Sequence, residues 1–248
     1  MIWGDMNHPP SLEASHALAF DTSSAIGSVA LGRGPDILDS RRLTAPFRHA
    51  AQFVPTIEAL CRDHGVAPAG VRCVFVSIGP GSFTGLRIGV AVARAMALAL
   101  EVGIVAVPTL EAIAQNAMDL PTPPRDIAVL LDAKRKNVYA CAFALDDGRY
   151  RTAGDPAEVE PAAFLARQPS TCAVLGEGIA QHREVVEASG LEILPVELHA
   201  ARAEAVYRLG WLGATEDRFT PARQLVPHYV RPPEAEEKRN RRTDPSDG

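Results

Sequence analysis

The chain contains 248 residues, 47% of them apolar, and carries a formal net charge of -5 at pH 7. This apolar content can bury a full core, in one large domain or in two small lobes, and it excludes a wholly disordered chain. The negative charge excludes a protein that coats nucleic acid through its overall field, so any contact with RNA must be local or made through a partner.

The first half of the chain has the pattern of an α/β lobe. Residues 1–16 lack the apolar segment of a signal peptide and are expected to form a flexible extension. Two short apolar runs flank a small polar turn after Asp21 and predict a β-hairpin. Three further strands and three helical stripes are predicted, the strands at residues 37–43, 71–78 and 104–107 and the helices at residues 50–64, 84–100 and 109–119.

The second half of the chain repeats this opening design. An apolar strand ends at Asp132, 111 positions after Asp21, and is again followed by a polar turn and a second strand. Two such units predict a duplicated, two-lobed α/β fold of the actin, Hsp70 and hexokinase type (ASKHA), in which each lobe is a mixed β-sheet with flanking helices. We expect the lobes at residues 17–119 and 120–231, followed by a disordered charged tail at 232–248.

Cysteine spacing and hydropathy indicate where the protein resides. The four cysteines contain no CxxC pair and are expected to be buried free thiols in a reducing cytosol. The longest apolar stretch, residues 88–100, is interrupted by Arg94 and is shorter than the roughly 20 residues that span a bilayer. The sequence therefore predicts a cytoplasmic protein that makes no membrane contact.

A glycine-rich loop joins the predicted strand at 71–78 to the predicted helix at 84–100. It reads GPGSFTG, and a loop of this kind at a helix N-terminus can bind an anion through its backbone N–H groups. It does not match the Rossmann, Walker or G-x-S-x-G patterns. The candidate residues for a degenerate anion or nucleotide site are Asp21, Thr22, Ser23, Gly79, Gly81 and Ser82.

Small residues recur at every fourth position of the helix that follows this loop and give it one smooth ridge. Another helix can approach such a ridge closely, either in a partner subunit or in the same chain, and the sequence leaves both open. The candidate residues for a partner interface are Gly85, Gly89, Ala93 and Ala97, together with Phe53 and Ile57 of the preceding helix.

The run SIGPGSFTGLRIG at residues 77–89 resembles the signature of the TsaB family, also called YeaZ. Weaker similarities to that family occur at both predicted Asp hairpins, in the first predicted helix, and in the closing segment PHYVR at residues 227–231. The resemblance covers residues 17–231 and implies the same ASKHA fold.

Similarity to this family implies a part in making N6-threonylcarbamoyladenosine (t6A) beside the anticodon of tRNA. In that system TsaC makes threonylcarbamoyl-adenylate, and the catalytic paralogue TsaD transfers the carbamoyl group with help from TsaB and the ATPase TsaE. The resemblance implies a scaffold that binds TsaD and TsaE, forms a homodimer when TsaD is absent, and meets tRNA weakly or through the complex. It implies no required cofactor and leaves open a nucleotide at the junction with TsaD. A basic run at residues 238–242 could touch tRNA directly, although a solvated run is the better interpretation.

The residues themselves argue against catalysis by this chain alone. A metal site like that of TsaD needs two histidines one helical turn apart, but the positions three and four residues after His49 are Gln52 and Phe53. No metal site is therefore predicted, and no catalytic residue is predicted either. The motif Gly176-Glu-Gly178 is a weak candidate for adenosine binding, and we expect Asp21 to cap its own turn. The duplicated Asp hairpins keep an ASKHA phosphotransferase or ATPase with its own nucleotide site as the alternative.

Overall fold

A computed structural model describes residues 15–43, 49–134 and 136–228 and contains two β-sheets with flanking helices. Most of the predicted N-terminal extension and all of the predicted tail lie outside these ranges. The strands of the first sheet are β1 (His16–Asp21), β2 (Ser28–Arg33), β3 (Asp36–Arg42), β4 (Val71–Ser77) and β5 (Gly103–Val107). The strands of the second sheet are β6 (Asp126–Asp132), β7 (Val138–Asp146), β8 (Arg149–Thr152), β9 (Ala157–Val159), β10 (Ala173–Leu175) and β11 (Glu192–Ile193).

Both sheets have the same topology. The strand order of the first is β3-β2-β1-β4-β5, with β1 antiparallel to β2 and parallel to β4. The order of the second is β8-β7-β6-β10-β11, with β6 antiparallel to β7 and parallel to β10, while β9 pairs with β7. Asp21 and Asp132 end the equivalent strands β1 and β6. The predicted duplication and the two-lobed ASKHA-like fold are therefore confirmed.

The three helices predicted in the first half of the chain lie close to their predicted positions, and three more follow in the second half. They are α1 (His49–Asp63), α2 (Phe83–Leu100), α3 (Thr109–Gln115), α4 (Pro161–Leu165), α5 (Arg183–Ala188) and α6 (Ala203–Thr215). The hydroxyl of Ser82 accepts a hydrogen bond from the Gly85 N–H at 3.2 Å and so caps the start of α2. The predicted helix at 109–119 is α3 continued by a 3-10 turn, Asn116–Asp119.

The last helix, α6, returns to the first sheet. The Tyr207 ring packs edge-on against Phe75, with ring centroids 5.4 Å apart, and its hydroxyl donates to the Gly34 carbonyl at 2.8 Å. A Cβ at Gly210 would lie 2.2 Å from the Phe75 ring, so the absence of a side chain there lets α6 approach closely. Although α6 lies within the predicted second lobe, it packs on the sheet of the first, and the boundary between residues 119 and 120 stays a prediction.

Among the described residues, α2 is the helix that is long and apolar enough to cross a membrane, with 18 residues and a mean hydropathy of 1.5. It contains Arg87 and Arg94. Its inner side contacts β4, as expected of a helix that covers a sheet. Length and composition alone are therefore weak grounds for a membrane span.

Candidate functional site

The turn after β1 is built around the carboxylate of Asp21. Its Oδ1 accepts hydrogen bonds from the Ser23 backbone N–H at 3.1 Å, the Ser23 hydroxyl at 2.5 Å and the Ser77 hydroxyl at 2.6 Å. The bonds from Ser23 confirm the prediction that Asp21 caps its own turn. Because Ser77 ends β4, the same carboxylate also joins two neighbouring strands.

Asp21 is fully buried, and its surroundings disfavour its charge. Burial raises the pKa of the Asp21 carboxyl because the charged form loses water, while hydrogen bonds from Ser23 and Ser77 act in the opposite direction. Among the described residues, the Asp21 Oδ2 atom and the Thr22 hydroxyl have no hydrogen-bond partner. The turn therefore holds buried polar groups that are incompletely satisfied.

The glycine-rich loop packs directly on this turn. The Ser82 backbone N–H donates to the Ser23 carbonyl at 2.7 Å, and a Cβ at Gly81 would lie 2.7 Å from the Ser23 Cβ. The Gly79 N–H donates to the Thr109 hydroxyl at 3.1 Å. The N–H groups of Gly79 and Ser82 are thus used inside the chain and are not offered to an anion.

The structure brings the predicted residues of the anion or nucleotide site into one cluster, but the hairpin side of that cluster is closed. Asp21 and Thr22 are 0% exposed. Gly81 is exposed and Ser82 is half-buried, so the loop is the side that a ligand could reach. Nucleotide binding at this cluster stays a prediction.

The second hairpin repeats the turn of the first in a more open form. Asp132 Oδ1 accepts a hydrogen bond from the Lys134 N–H at 3.0 Å, as Asp21 does from the residue two positions on, and Asp132 Oδ2 lies 3.0 Å from the Lys134 ammonium. The His182 Nε2 atom lies 3.9 Å from Asp132 Oδ1. Neither Lys134 nor His182 was predicted as a site residue, because a single lysine or histidine gives no spacing signal.

Glu177 brings the second lobe into contact with the first hairpin. Ser24 and Ala25 of the hairpin turn lie close enough to its carboxylate to act on its pKa. Burial raises the pKa of Glu177, and the nearby Asp21 raises it further, whereas Ser24 and Ala25 lower it. The sequence drew attention to this segment through Gly176 and Gly178, but no local pattern predicts a contact between residues so far apart in the chain.

The small-residue ridge of α2 faces the interior of its own chain. A Cβ at Gly85 would lie 1.9 Å from the Thr22 carbonyl oxygen, and a Cβ at Gly89 would lie 2.5 Å from the Thr22 hydroxyl oxygen. Ala93 is 0% exposed and Ala97 is half-buried. The sequence left open whether this ridge contacts a partner subunit or another part of the same chain. Gly85 and Gly89 contact their own chain.

Phe53 and Ile57, the predicted interface residues on α1, also face inward. Both belong to the core of the first lobe, and the Phe53 ring packs edge-on against Phe20 with centroids 5.1 Å apart. The interpretation of these side chains as partner contacts is corrected for a physical reason. Periodicity shows that a helix has an apolar face, but it does not show whether that face covers the chain's own sheet or another subunit.

The opposite face of α2 is exposed and carries apolar residues beside the exposed Arg87 and Arg94. Ala91, Ala95 and Leu98, spaced four and three residues apart, are exposed on one side of the helix and are called the outer stripe below. Leu98 is 75% exposed, and Val54 on α1 is 44% exposed. The helices α1 and α2 contact each other, and contiguous exposed apolar surface is typical of an interaction site.

Within residues 15–43, 49–134 and 136–228, no three His, Cys, Asp or Glu side chains are grouped so that they could hold a metal ion. His49 begins α1, and its side chain is outside what the structure describes. The sequence-based expectation that this chain has no metal site stays a prediction.

Comparison with known proteins gives likenesses over most of the chain. The family described as "TsaD: tRNA N6-adenosine threonylcarbamoyltransferase" matches residues 44–210. The tRNA threonylcarbamoyladenosine biosynthesis protein TsaB of Bacillus subtilis (strain 168) is 28% identical over 228 residues, which cover 89% of this chain and 96% of the relative. Its Escherichia coli (strain K12) namesake is 26% identical over 218 residues, covering 86% and 94%. The solved structure of YeaZ from Pseudomonas aeruginosa has a TM-score of 0.76 at 28% identity and covers 87% of this chain and 99% of its own.

Proposed function

Because the chain belongs to the TsaB (YeaZ) family, we propose that it takes part in the biosynthesis of N6-threonylcarbamoyladenosine in tRNA as an accessory subunit. It is a cytoplasmic scaffold that binds the catalytic paralogue TsaD, acts with the ATPase TsaE, and pairs with a second copy of itself when TsaD is absent. Its contact with tRNA comes through the complex.

The observation that carries the scaffold role is the outer stripe of α2. This 18-residue helix is as apolar as a membrane span, yet only 28% of it is buried inside the chain, so part of its apolar surface is left open to solvent. Covering apolar surface contributes about 25 cal/mol per Å² to association. A paralogue built on the same duplicated fold presents an equivalent pair of helices, so one surface serves both TsaD and a second copy.

We assign no chemical step to this chain. The burial of Asp21 and Thr22 and the internal hydrogen bonds of the glycine-rich loop support a subunit that does not turn over nucleotide by itself. The alternative phosphotransferase or ATPase would need Mg-bound phosphates at Asp21, and therefore an opened hairpin. Calorimetric titration with Mg-ATP separates the two, because an enzyme of this kind binds nucleotide without TsaD.

Co-purification of TsaD with this chain tests the proposed interface. Leu98→Asp places a charge in the centre of an apolar contact, and we expect it to reduce the TsaD retained at least about tenfold. Because Leu98 is exposed, the melting temperature of the isolated chain should change little. Val196→Asp is the matched control, since Val196 is also apolar and 71% exposed but lies in the second lobe.

Equal retention of TsaD by the Leu98→Asp and Val196→Asp chains would place the interface elsewhere. Reconstituted t6A formation then tests the role itself. We expect modification to require the chain and to survive a folded Asp21→Asn variant, whereas loss of modification with that variant would favour a nucleotide-binding enzyme.

A further inference from the structure

The chain passes between its two sheets twice. The first crossing, residues 108–125, runs from β5 to β6 and contains α3. The second crossing, residues 194–202, runs from β11 to α6, which packs on the first sheet. Lobes that open and close move about a few residues at the ends of such elements, where the backbone absorbs the rotation. How the two crossings are held therefore decides whether the lobes can move.

Asn116, at the end of α3, fastens the two crossings to each other. Its side-chain amide donates to the Leu198 carbonyl at 2.9 Å and to the Ala200 carbonyl at 2.7 Å, and its oxygen accepts from the Arg202 Nε–H at 3.0 Å. These three bonds join residues that are 82 to 86 positions apart in the chain. Asn116 is 0% exposed, so a motion that breaks the bonds leaves buried polar groups without a partner.

Two neighbours of Asn116 strengthen this junction. The Asp119 carboxylate pairs with Arg202 of the second crossing and with Arg208 of α6, the latter at 3.1 Å. On the other side, the Gln115 amide donates to the Tyr150 carbonyl at 2.8 Å and accepts from the Tyr150 N–H at 3.2 Å. The first crossing is thus bonded both to the second crossing and to β8 of the second sheet.

One hydrophobic core runs through the junction. Buried side chains of the first sheet, of α3, of α6 and of the second sheet belong to the same cluster, among them Phe75, Ile113, Val206 and Val129. A hinge motion would have to separate side chains of this core. Packed protein interiors resist such a change because they contain few voids into which side chains could move.

We propose that this junction is a lock, in which Asn116 and Asp119 hold the two lobes in one fixed orientation. The chain then acts as a rigid body and does not open and close between its lobes. A rigid body meets a partner with its surfaces already in place, so less conformational entropy is lost on binding. The lock needs neither TsaD nor tRNA, and its test is therefore separate from that of the proposed function.

Double electron–electron resonance between two spin labels on the full chain measures the spread of lobe orientations. The labels are attached to Glu58→Cys on α1 and Glu184→Cys on α5, two exposed positions on helices that cover different sheets. The four native thiols are buried, and a chain without the added cysteines serves as the labelling blank. Dilution with unlabelled chain restricts the measurement to distances within one molecule. We expect one narrow distance distribution.

Asn116→Asp tests the lock with almost no change in size. It replaces the donating amide by a carboxylate oxygen that faces the Leu198 and Ala200 carbonyls, so two hydrogen bonds become repulsive contacts. We expect the distance distribution to become at least about twofold wider, because the two crossings can then separate.

Two further variants make the result specific. Asp119→Ala removes the pairs with Arg202 and Arg208 and should also widen the distribution. Asp146→Ala is the matched control, since it removes an exposed ion pair with Arg151, 2.8 Å long, within the second sheet. The control should give the distribution of the wild type.

A broad or split distribution in the wild type overturns the proposal, since the lobes would then move in spite of these bonds. A folded Asn116→Asp chain with an unchanged distribution overturns it as well, and so does equal widening in the Asp146→Ala control. If Asn116→Asp does not fold, the comparison of Asp119→Ala with Asp146→Ala decides alone. A wider distribution in Asp119→Ala then supports the lock, and equal widths overturn it.

Discussion

Gly85 and Thr22 are in such close contact that a Cβ added at Gly85 would lie 1.9 Å from the Thr22 carbonyl oxygen. The first turn of α2 therefore sits directly on the turn of the first hairpin. This contact closes one side of the Asp21 cluster. Gly85, one of the glycines of the signature at residues 77–89, therefore serves packing within the chain.

Gly85→Ala should destabilise the protein, although alanine is the better helix former. The helix propensity gained is about 1 kcal/mol, whereas overpacking costs about 1–3 kcal/mol and more against a backbone atom that cannot rotate away. We expect the free energy of unfolding, measured with urea, to fall by about 2 kcal/mol or more. Gly154→Ala is the control, because nothing lies within 4 Å of a Cβ there. Equal stability of the two variants would contradict the close contact.

Asp21→Asn should change how stability depends on pH. Burial raises the pKa of the Asp21 carboxyl in the folded chain, whereas the pKa of an aspartate in the unfolded chain is about 4. Between these two pKa values the folded protein keeps a proton that the unfolded chain releases, so the wild type loses unfolding free energy as pH rises through this window. The asparagine variant lacks this loss.

Urea denaturation of both proteins between about pH 4 and pH 8 measures the difference. The Asp21→Asn chain should gain stability relative to the wild type as pH rises. Asp21→Ala, which removes the acceptor of three hydrogen bonds, should be less stable than Asp21→Asn throughout. Parallel curves for the wild type and Asp21→Asn would show that the buried carboxyl has an ordinary pKa.

Tyr207 should anchor α6 mainly through its ring. Tyr207→Phe removes the hydrogen bond to the Gly34 carbonyl and should cost about 1 kcal/mol, since the ring still fills its place. Tyr207→Ala leaves a cavity beside Phe75 and should cost about 3–5 kcal/mol. Urea midpoints at an unchanged m value report both losses. If the two variants are equally destabilised, ring packing is not what holds α6 on the first sheet.

The thiols should be almost inert in the folded chain. All four cysteines are free and buried, as predicted, and burial raises the pKa of Cys73 and Cys172 to about 11 and that of Cys141 to about 12. Because the thiolate is the nucleophile, labelling with an aromatic disulfide at pH 8 should be at least about a hundredfold slower than in urea. The folded-state rate should rise about tenfold per pH unit. Rapid labelling of one cysteine at pH 8 would show that its burial is transient.

Local patterns were sufficient to predict the secondary structure and the duplication. The strands that end at Asp21 and Asp132 were recognisable because each is an apolar run followed by a polar turn, and that pattern depends only on neighbouring residues. The same holds for the cap of the first hairpin, since the bond from the Ser23 N–H to Asp21 spans two residues.

The sequence by itself determined the two-lobed α/β design, the family signature and the small ridge of α2. Tertiary structure alone decided which surface that ridge covers and that α6 returns to the first sheet. The physical reason is the same in each case. Apolar periodicity indicates that a helix face must be covered, and glycine spacing indicates that another segment comes close to the backbone. Which segment covers that face depends on packing between parts of the chain that are far apart in sequence.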